Sequence, residues 1–350
     1  GEFTVGPLFT LVGTDTHVRG LAIGYLKITL YGAVISMLYV WAESTMRAAG
    51  DTRTPMIVIA TSLGLNALLD PLLIFGLGPV PAMGVNGAAW ATVIAQAFAV
   101  TWFLVLAARR HPAFPLDFGA LRRFAPRYAA ALGRIGAPYS LIGILFSGVY
   151  LYFAHVAARF GTPAVAVVGV GNRIESVTYL VAAGFGLACE AIVGQNLGAG
   201  RADRAARATW MSSGLMALFG ALMTGAMLLV PGVLLSIFTS DPEVLGTGVP
   251  YLRILALTQV FTGVELVLNG AFSGAGDTFP PMLISVTVSL LRVPLAWWCA
   301  VTLGLGLPGL AWMISLTCVV RTVILALWFR RGAWRTKALA TDRAAASSPA

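Results

Sequence analysis

Apolar stretches of 20 or more residues follow one another from about residue 20 to residue 329. Each is long enough to cross a hydrocarbon core that needs roughly 20 residues of helix. The chain is 58% hydrophobic and only 11% charged, whereas about a quarter of the residues of a soluble domain are charged. An all-α polytopic membrane protein is the fold class this pattern allows. The spans read as 20–47, 56–77, 84–107, 136–159, 164–194, 208–236, 250–273, 281–304 and 308–329, with the end of another helix at 1–12.

An internal repeat constrains the arrangement of these spans. Residues 15–56 align without a gap onto 241–282, at a constant offset of 226, and 13 of the 42 positions are identical. Tyr25-Leu26-Lys27-Ile28 returns as Tyr251-Leu252-Arg253-Ile254, and Ala49-Gly50-Asp51-Thr52 as Ala275-Gly276-Asp277-Thr278. Duplication in a hydrophobic chain implies two related helical bundles with substrate handled between them. The second bundle holds six spans, from 136 to 329. Six is an even number, so both copies face the same way and their pseudo-two-fold axis runs along the membrane normal. The first bundle shows only its last three spans and the end of another, so about two and a half helices of a twelve-helix protein are expected before Gly1. The division that follows is 1–107 for the end of the first lobe, 108–135 for an inter-lobe loop, 136–329 for the second lobe and 330–350 for a tail.

Charge sets the expected orientation. The net charge is +9, but 16 of the 23 basic residues sit in alternate loops: near Arg47 and Arg53, in 108–135, in 195–207 and after Phe329. That asymmetry makes those loops, and the C-terminus, cytoplasmic. It marks topology rather than a nucleic-acid surface. The opposite loops, GTDTH at 13–17, GPVPAMG at 78–84 and TSDPE at 239–243, are short and acidic or neutral. The tail after Gly332 is expected to be disordered. Cys189, Cys299 and Cys318 lie in apolar segments without disulfide or metal-ligand spacing, and read as small core residues.

The runs MRAAGDTRTPM at 46–56, NALLDPLLIFG at 66–76 and GVNGAAWATVIAQ at 84–96 resemble the multidrug and toxic compound extrusion (MATE) transporters. GNRIES at 171–176, VGQNLGAG at 193–200 and GAGDTFPP at 274–281 agree, and the resemblance covers residues 13–330. It implies a two-lobed exporter that exchanges cationic or amphiphilic compounds against inward H⁺ or Na⁺, with no other cofactor. A monomer in the inner membrane is the expected form.

Asp70 is the leading candidate for the coupling site. It lies some 15 residues into the span 56–77, where an ionisable group is costly and functional by default. Asn66 stands one turn earlier on the same face, and Pro71 leaves the carbonyl of Ala67 without its helical donor. These are hard oxygen ligands of the kind a small cation takes, and protonation of the carboxyl is the other coupling event open to it. The competing reading is that Asp70-Pro71 caps a restarted helix. The resemblance adds Thr92 on the next helix to the same site, and an acidic residue from a helix that this sequence does not contain.

The second lobe departs from this pattern, because Arg292 stands where the offset places the counterpart of Asn66. Glu175, Glu190 and Glu265 are the membrane carboxylates there. Glu175 follows Asn172-Arg173, so a local ion pair competes with a functional role. Glu190 either serves substrate or proton, or pairs with Arg292. Glu265 is expected to face a cleft that attracts cationic cargo. Glu43 reads as a partner of Arg47, four residues on. The GDT-x-x-P loops read as turn chemistry, with Asp51 and Asp277 capping the helices that follow. His155 reads as an interhelical polar residue; Met37, Tyr39, Trp41, Tyr139, Tyr150 and Phe261 read first as lipid-facing or core packing, with the lining of a drug cavity as the competing role.

No nucleotide-binding glycine loop, clustered His/Cys site or nucleophile elbow occurs, so ATP chemistry and enzyme catalysis are not expected on this chain. The expectation is an ion-driven multidrug or organic-cation antiporter working by alternating access. The nearest rival is a flippase of lipid-linked oligosaccharides from the same wider superfamily, which Arg173, Arg292 and Arg321 keep open.

Overall fold

The computed structural model describes residues 16–76, 81–109 and 126–336. The expected helix at 1–12, most of the loop 108–135, the side chain of Tyr139 and residues 337–350 lie outside that description. Every described element is helical. Seven helices are long and apolar enough to cross a membrane, and two bent helix pairs raise the number to nine. The chain is a multi-pass membrane protein, and it divides into two compact units, Gly1–Phe124 and Ala125–Ala350.

The first unit contains α1 (Thr16–Tyr31), α2 (Ala33–Ala48), α3 (Arg53–Phe75) and α4 (Val85–Ala108). The expected single span 20–47 is broken: α1 and α2 meet at 50° around Gly32. A Cβ on Gly32 would lie 2.4 Å from Val93 of α4, so only glycine admits that side chain at the bend. α3 and α4 run antiparallel, with the Ser62 hydroxyl donating to the Ala95 carbonyl at 2.7 Å. Gly87 closes the other end of the pair, since a Cβ there would lie 2.5 Å from the Leu73 carbonyl oxygen. Ala91, Ala95, Ala99, Phe103 and Ala107, four residues apart, form the buried seam of α4. The expected Glu43–Arg47 pair is present. Asp51 Oδ1 accepts from the amides of Arg53 and Thr54 at 3.1 and 3.0 Å, the capping read from the GDT loop.

The second unit contains α5 (Pro126–Ala158), α6 (Thr162–Gly198), α7 (Ala202–Leu229), α8 (Pro231–Ser236), α9 (Pro242–Leu255), α10 (Thr258–Gly274), α11 (Phe279–Trp297) and α12 (Gly306–Arg330). The expected span 208–236 ends early, because Pro231 forces Val230 out of helical geometry (φ −128°, ψ 42°) and starts α8. The span 281–304 closes in a π-helical turn, Trp298–Thr302. The span 250–273 is also broken, with α9 and α10 meeting at 49°. This is the offset image of the α1–α2 bend and nearly its angle.

Inside a membrane the carbonyls freed by such a break need protein donors. Ser315 of α12 donates to Ile254 O at 3.0 Å, Thr258 to Leu255 O at 2.7 Å and Thr224 of α7 to Ala256 O at 2.7 Å. α10 is held in the centre of the unit. Against parallel α6, a Cβ on Gly270 would meet the Gly186 carbonyl oxygen at 2.0 Å, and one on Gly274 the Glu190 carbonyl oxygen at 2.2 Å. Against antiparallel α7, Gly263 faces the Met216 carbonyl and Gly220 faces Val260.

Arg335 Nη1 reaches Asp203 Oδ1 at 2.9 Å, joining the start of α7 to the segment after α12. One expectation is corrected here: the tail is ordered at least to Thr336. Trp334 is 1% exposed, its ring stacks on Phe329 at 4.6 Å and its indole N–H donates to the Phe329 carbonyl at 2.9 Å. The three cysteines are free and buried.

Candidate functional site

In the first unit α3 continues through Pro71 without a break, so Asp70 does not cap a restarted helix. Asn66 and Asp70 sit one turn apart on that helix and both are half-buried. The Asn66 Nδ2 is buried and has no hydrogen-bond partner, an unmet donor beside the carboxyl. The Ser62–Ala95 and Leu73–Gly87 contacts place Thr92 of α4 level with Asn66. Thr92 is exposed, however, and its hydroxyl donates to Ala88 O of its own helix at 3.0 Å. The fold thus brings Asn66 and Asp70 to one face by helical register and leaves Thr92 on its neighbour with a local partner.

The more developed site lies in the second unit, in a cavity of about 720 Å³ lined by α5, α6, α10, α11 and α12. Its polar groups include Tyr150, Glu175, Gln259, Glu265, Arg292 and Arg321. Two carboxylates and two guanidiniums inside an apolar bundle carry a heavy desolvation cost unless they are paired or hydrogen-bonded. Arg321 and Glu265 form an ion pair at 2.8 Å, with side chains 12% and 8% exposed. Arg292 is 5% exposed, and its Nε donates to Thr317 Oγ1 at 2.6 Å. Glu175 Oε1 accepts from Thr258 Oγ1 at 3.1 Å, directly at the α9–α10 break. The Gln259 amide donates to the same hydroxyl at 3.0 Å. The Gln259 and Asn269 side-chain oxygens are buried without a donor, so the lining offers unmet acceptors to a guest.

Three of the four expected second-lobe residues, Glu175, Glu265 and Arg292, therefore line one cavity, and Glu190 does not. Glu190 accepts from Ser273 Oγ at 2.8 Å and is not the partner of Arg292. Glu175 bonds across to α10 rather than to Arg173, which is exposed. Tyr150 lines the cavity, whereas Phe261 and His155 are not among its walls. Thr258, Gln259 and Asn269 were not singled out from sequence. Their signal was a polar Thr-Gln pair at the point where the repeat copy in the first lobe has Gly32-Ala33. Among the described residues no group of His, Cys, Asp and Glu could hold a metal ion.

Comparison with known proteins fits this arrangement. The MatE family profile matches residues 1–72 and 138–298. A probable multidrug resistance protein NorM of Thermotoga maritima is 32% identical over 334 residues, which cover 93% of this chain and 70% of that protein. A FAD transporter of Shewanella oneidensis is 28% identical over 300 residues, 85% of this chain and 66% of that protein. Among solved structures, a MOP-superfamily transporter of Pyrococcus furiosus, described as having a binding pocket of reverse polarity, superposes with a TM-score of 0.86 at 23% identity. That match covers 97% of this chain and 75% of the other.

Proposed function

The chain belongs to the MatE family, whose members are transporters and not enzymes, and on that premise we propose that it exports small amphiphilic organic compounds by ion-coupled alternating access. The observation that carries this reading is the buried charged cavity of the second unit, a place for polar cargo inside an apolar bundle. Multidrug resistance relatives support small organic cargo. Inward H⁺ or Na⁺ drives the cycle through Asp70 and Asn66, with Thr92 joining them in the ion-bound state. Glu190 serves the packing of α6 on α10 rather than the cargo. The working form is a monomer in the inner membrane, its C-terminus in the cytoplasm.

Bound ion and bound cargo must favour different states for exchange to occur. The α9–α10 break is where that difference can be transmitted, since Glu175 touches both the cavity and Thr258. A second reading, flipping of lipid-linked oligosaccharides, is favoured by the two cavity arginines, because that cargo carries phosphates. The neutralisation of Arg321 by Glu265 weakens it.

The test uses everted membrane vesicles from cells expressing the gene, loaded with a fluorescent amphiphilic dye under an imposed pH gradient and then an imposed Na⁺ gradient. Uptake driven by one gradient and lost in Asp70→Asn supports ion-coupled export and names the ion. Absence of uptake under both gradients, with the protein inserted, rejects it in favour of the flippase.

A further inference from the structure

The cavity of the second unit is polarised, and its charges are not matched pair by pair. Arg321 is neutralised by Glu265. Arg292 is buried as well, yet its hydrogen-bond partner is the neutral hydroxyl of Thr317, engaged through Nε. No carboxylate of the described residues stands within ion-pair distance of it. The terminal nitrogens of its guanidinium are thus left as a fork of donors beside the cavity, a geometry suited to a carboxylate or phosphate.

Glu175 presents the converse need. The Thr258 hydroxyl has a single proton, and the Leu255 carbonyl at 2.7 Å competes for it with Glu175 at 3.1 Å. The Gln259 side chain also turns to this carboxylate, which leaves it with neutral partners and no ion pair, while the buried acceptor oxygens of Gln259 and Asn269 have no donor. The cavity thus holds a guanidinium without an ion-pair partner together with acceptors that lack donors.

We propose that this cavity selects amphiphiles carrying both an anionic group, carboxylate or phosphate, held by Arg292, and a donor group, ammonium or amide, held at Glu175. A purely cationic cargo would leave the Arg292 charge buried without a counter-ion. This assignment rests on the cavity being the cargo site.

The experiment measures equilibrium binding to the purified full chain in phosphatidylcholine nanodiscs, by fluorescence anisotropy, of a rhodamine with a free carboxylate and of its methyl ester. The wild type is expected to bind the acid about 10-fold more tightly than the ester, the usual worth of one charge-assisted contact. Arg292→Gln should bring that ratio to about one while ester binding persists, and Arg292→Lys should keep part of it. Equal binding of acid and ester by the wild type, or a ratio unchanged in Arg292→Gln, overturns the anion assignment and leaves the cavity as cargo site. Binding of neither dye overturns the cargo site itself. Should Arg292→Gln not fold, the wild-type ratio and the Lys variant decide. Displacement of the acid by added phosphatidylethanolamine, whose headgroup carries the same two groups, names a lipid headgroup as the source of this chemistry; resistance to it names a solute.

Discussion

Arg321 Nη2 stands 2.8 Å from Glu265 Oε2, and the two side chains are nearly closed to solvent. Neutralising one member leaves the other as an uncompensated buried charge, which costs about 3–5 kcal/mol in comparable settings. Glu265→Gln should therefore lower the thermal unfolding temperature of the purified protein markedly. The double variant Glu265→Gln/Arg321→Gln should recover much of the loss. A double variant no more stable than the single one would mean that the pair is not coupled as described.

The α6–α10 contact depends on missing side chains. At Gly270 an added methyl would stand 2.0 Å from the Gly186 carbonyl oxygen, with backbone on both sides. Gly270→Ala should cost about 1–3 kcal/mol through forced separation of the helices. Gly214→Ala, in α7 with nothing within 4 Å, should be neutral or slightly stabilising. Thermal unfolding of the two variants side by side checks the contrast.

At the α9–α10 break Thr258 serves both Leu255 O and Glu175, while Thr224 and Ser315 serve the neighbouring carbonyls independently. Thr258→Val should cost only about 1 kcal/mol of stability, because the rest of the break stays capped. Transport should fall much further than that figure suggests, since the link from cavity to bend is cut. Vesicle uptake normalised to inserted protein provides the measurement.

Beyond α12, the buried Trp334 ring stacks on Phe329, whose ring in turn packs edge-on against Trp210 and Phe272. Trp334→Ala should destabilise the second unit by about 3–5 kcal/mol, as loss of a buried aromatic does. Arg335→Ala removes an ion pair whose side chains are 43% and 83% exposed and should change stability by less than about 1 kcal/mol. Unfolding temperatures of both variants test whether the aromatic or the charge holds this segment.

The helical class, the family and most spans were legible because hydrophobic length and turn chemistry are local signals. The bends at Gly32 and at Ala256-Leu257 were not, since each depends on a neighbouring helix: Val93 fills the first, and Thr224 and Ser315 cap the second. Glu175, Glu265 and Arg292 stood out as charges in apolar runs. Which of them touch could not be read from spacing, because Arg321 and Glu265 are far apart in sequence and meet only through the packing of α12 on α10. Glu190 looked equivalent to the others along the sequence, yet the close α6–α10 approach turns it toward Ser273. The order of Trp334 was hidden by its position after a glycine in an otherwise polar tail.

The two bends have nearly the same angle and different fastenings. The first is mainly a steric fit, a glycine hollow filled by a valine, with one long hydroxyl contact, from Ser36 to the Gly32 carbonyl at 3.3 Å. The second is fastened by three hydroxyl groups, and one of them, that of Thr258, belongs to a residue lining the cavity. Hydration of the cavity would compete for the Thr258 hydroxyl and bear on the second joint more than on the first. A duplicated architecture can in this way acquire one joint set by shape and one that responds to what fills the space next to it.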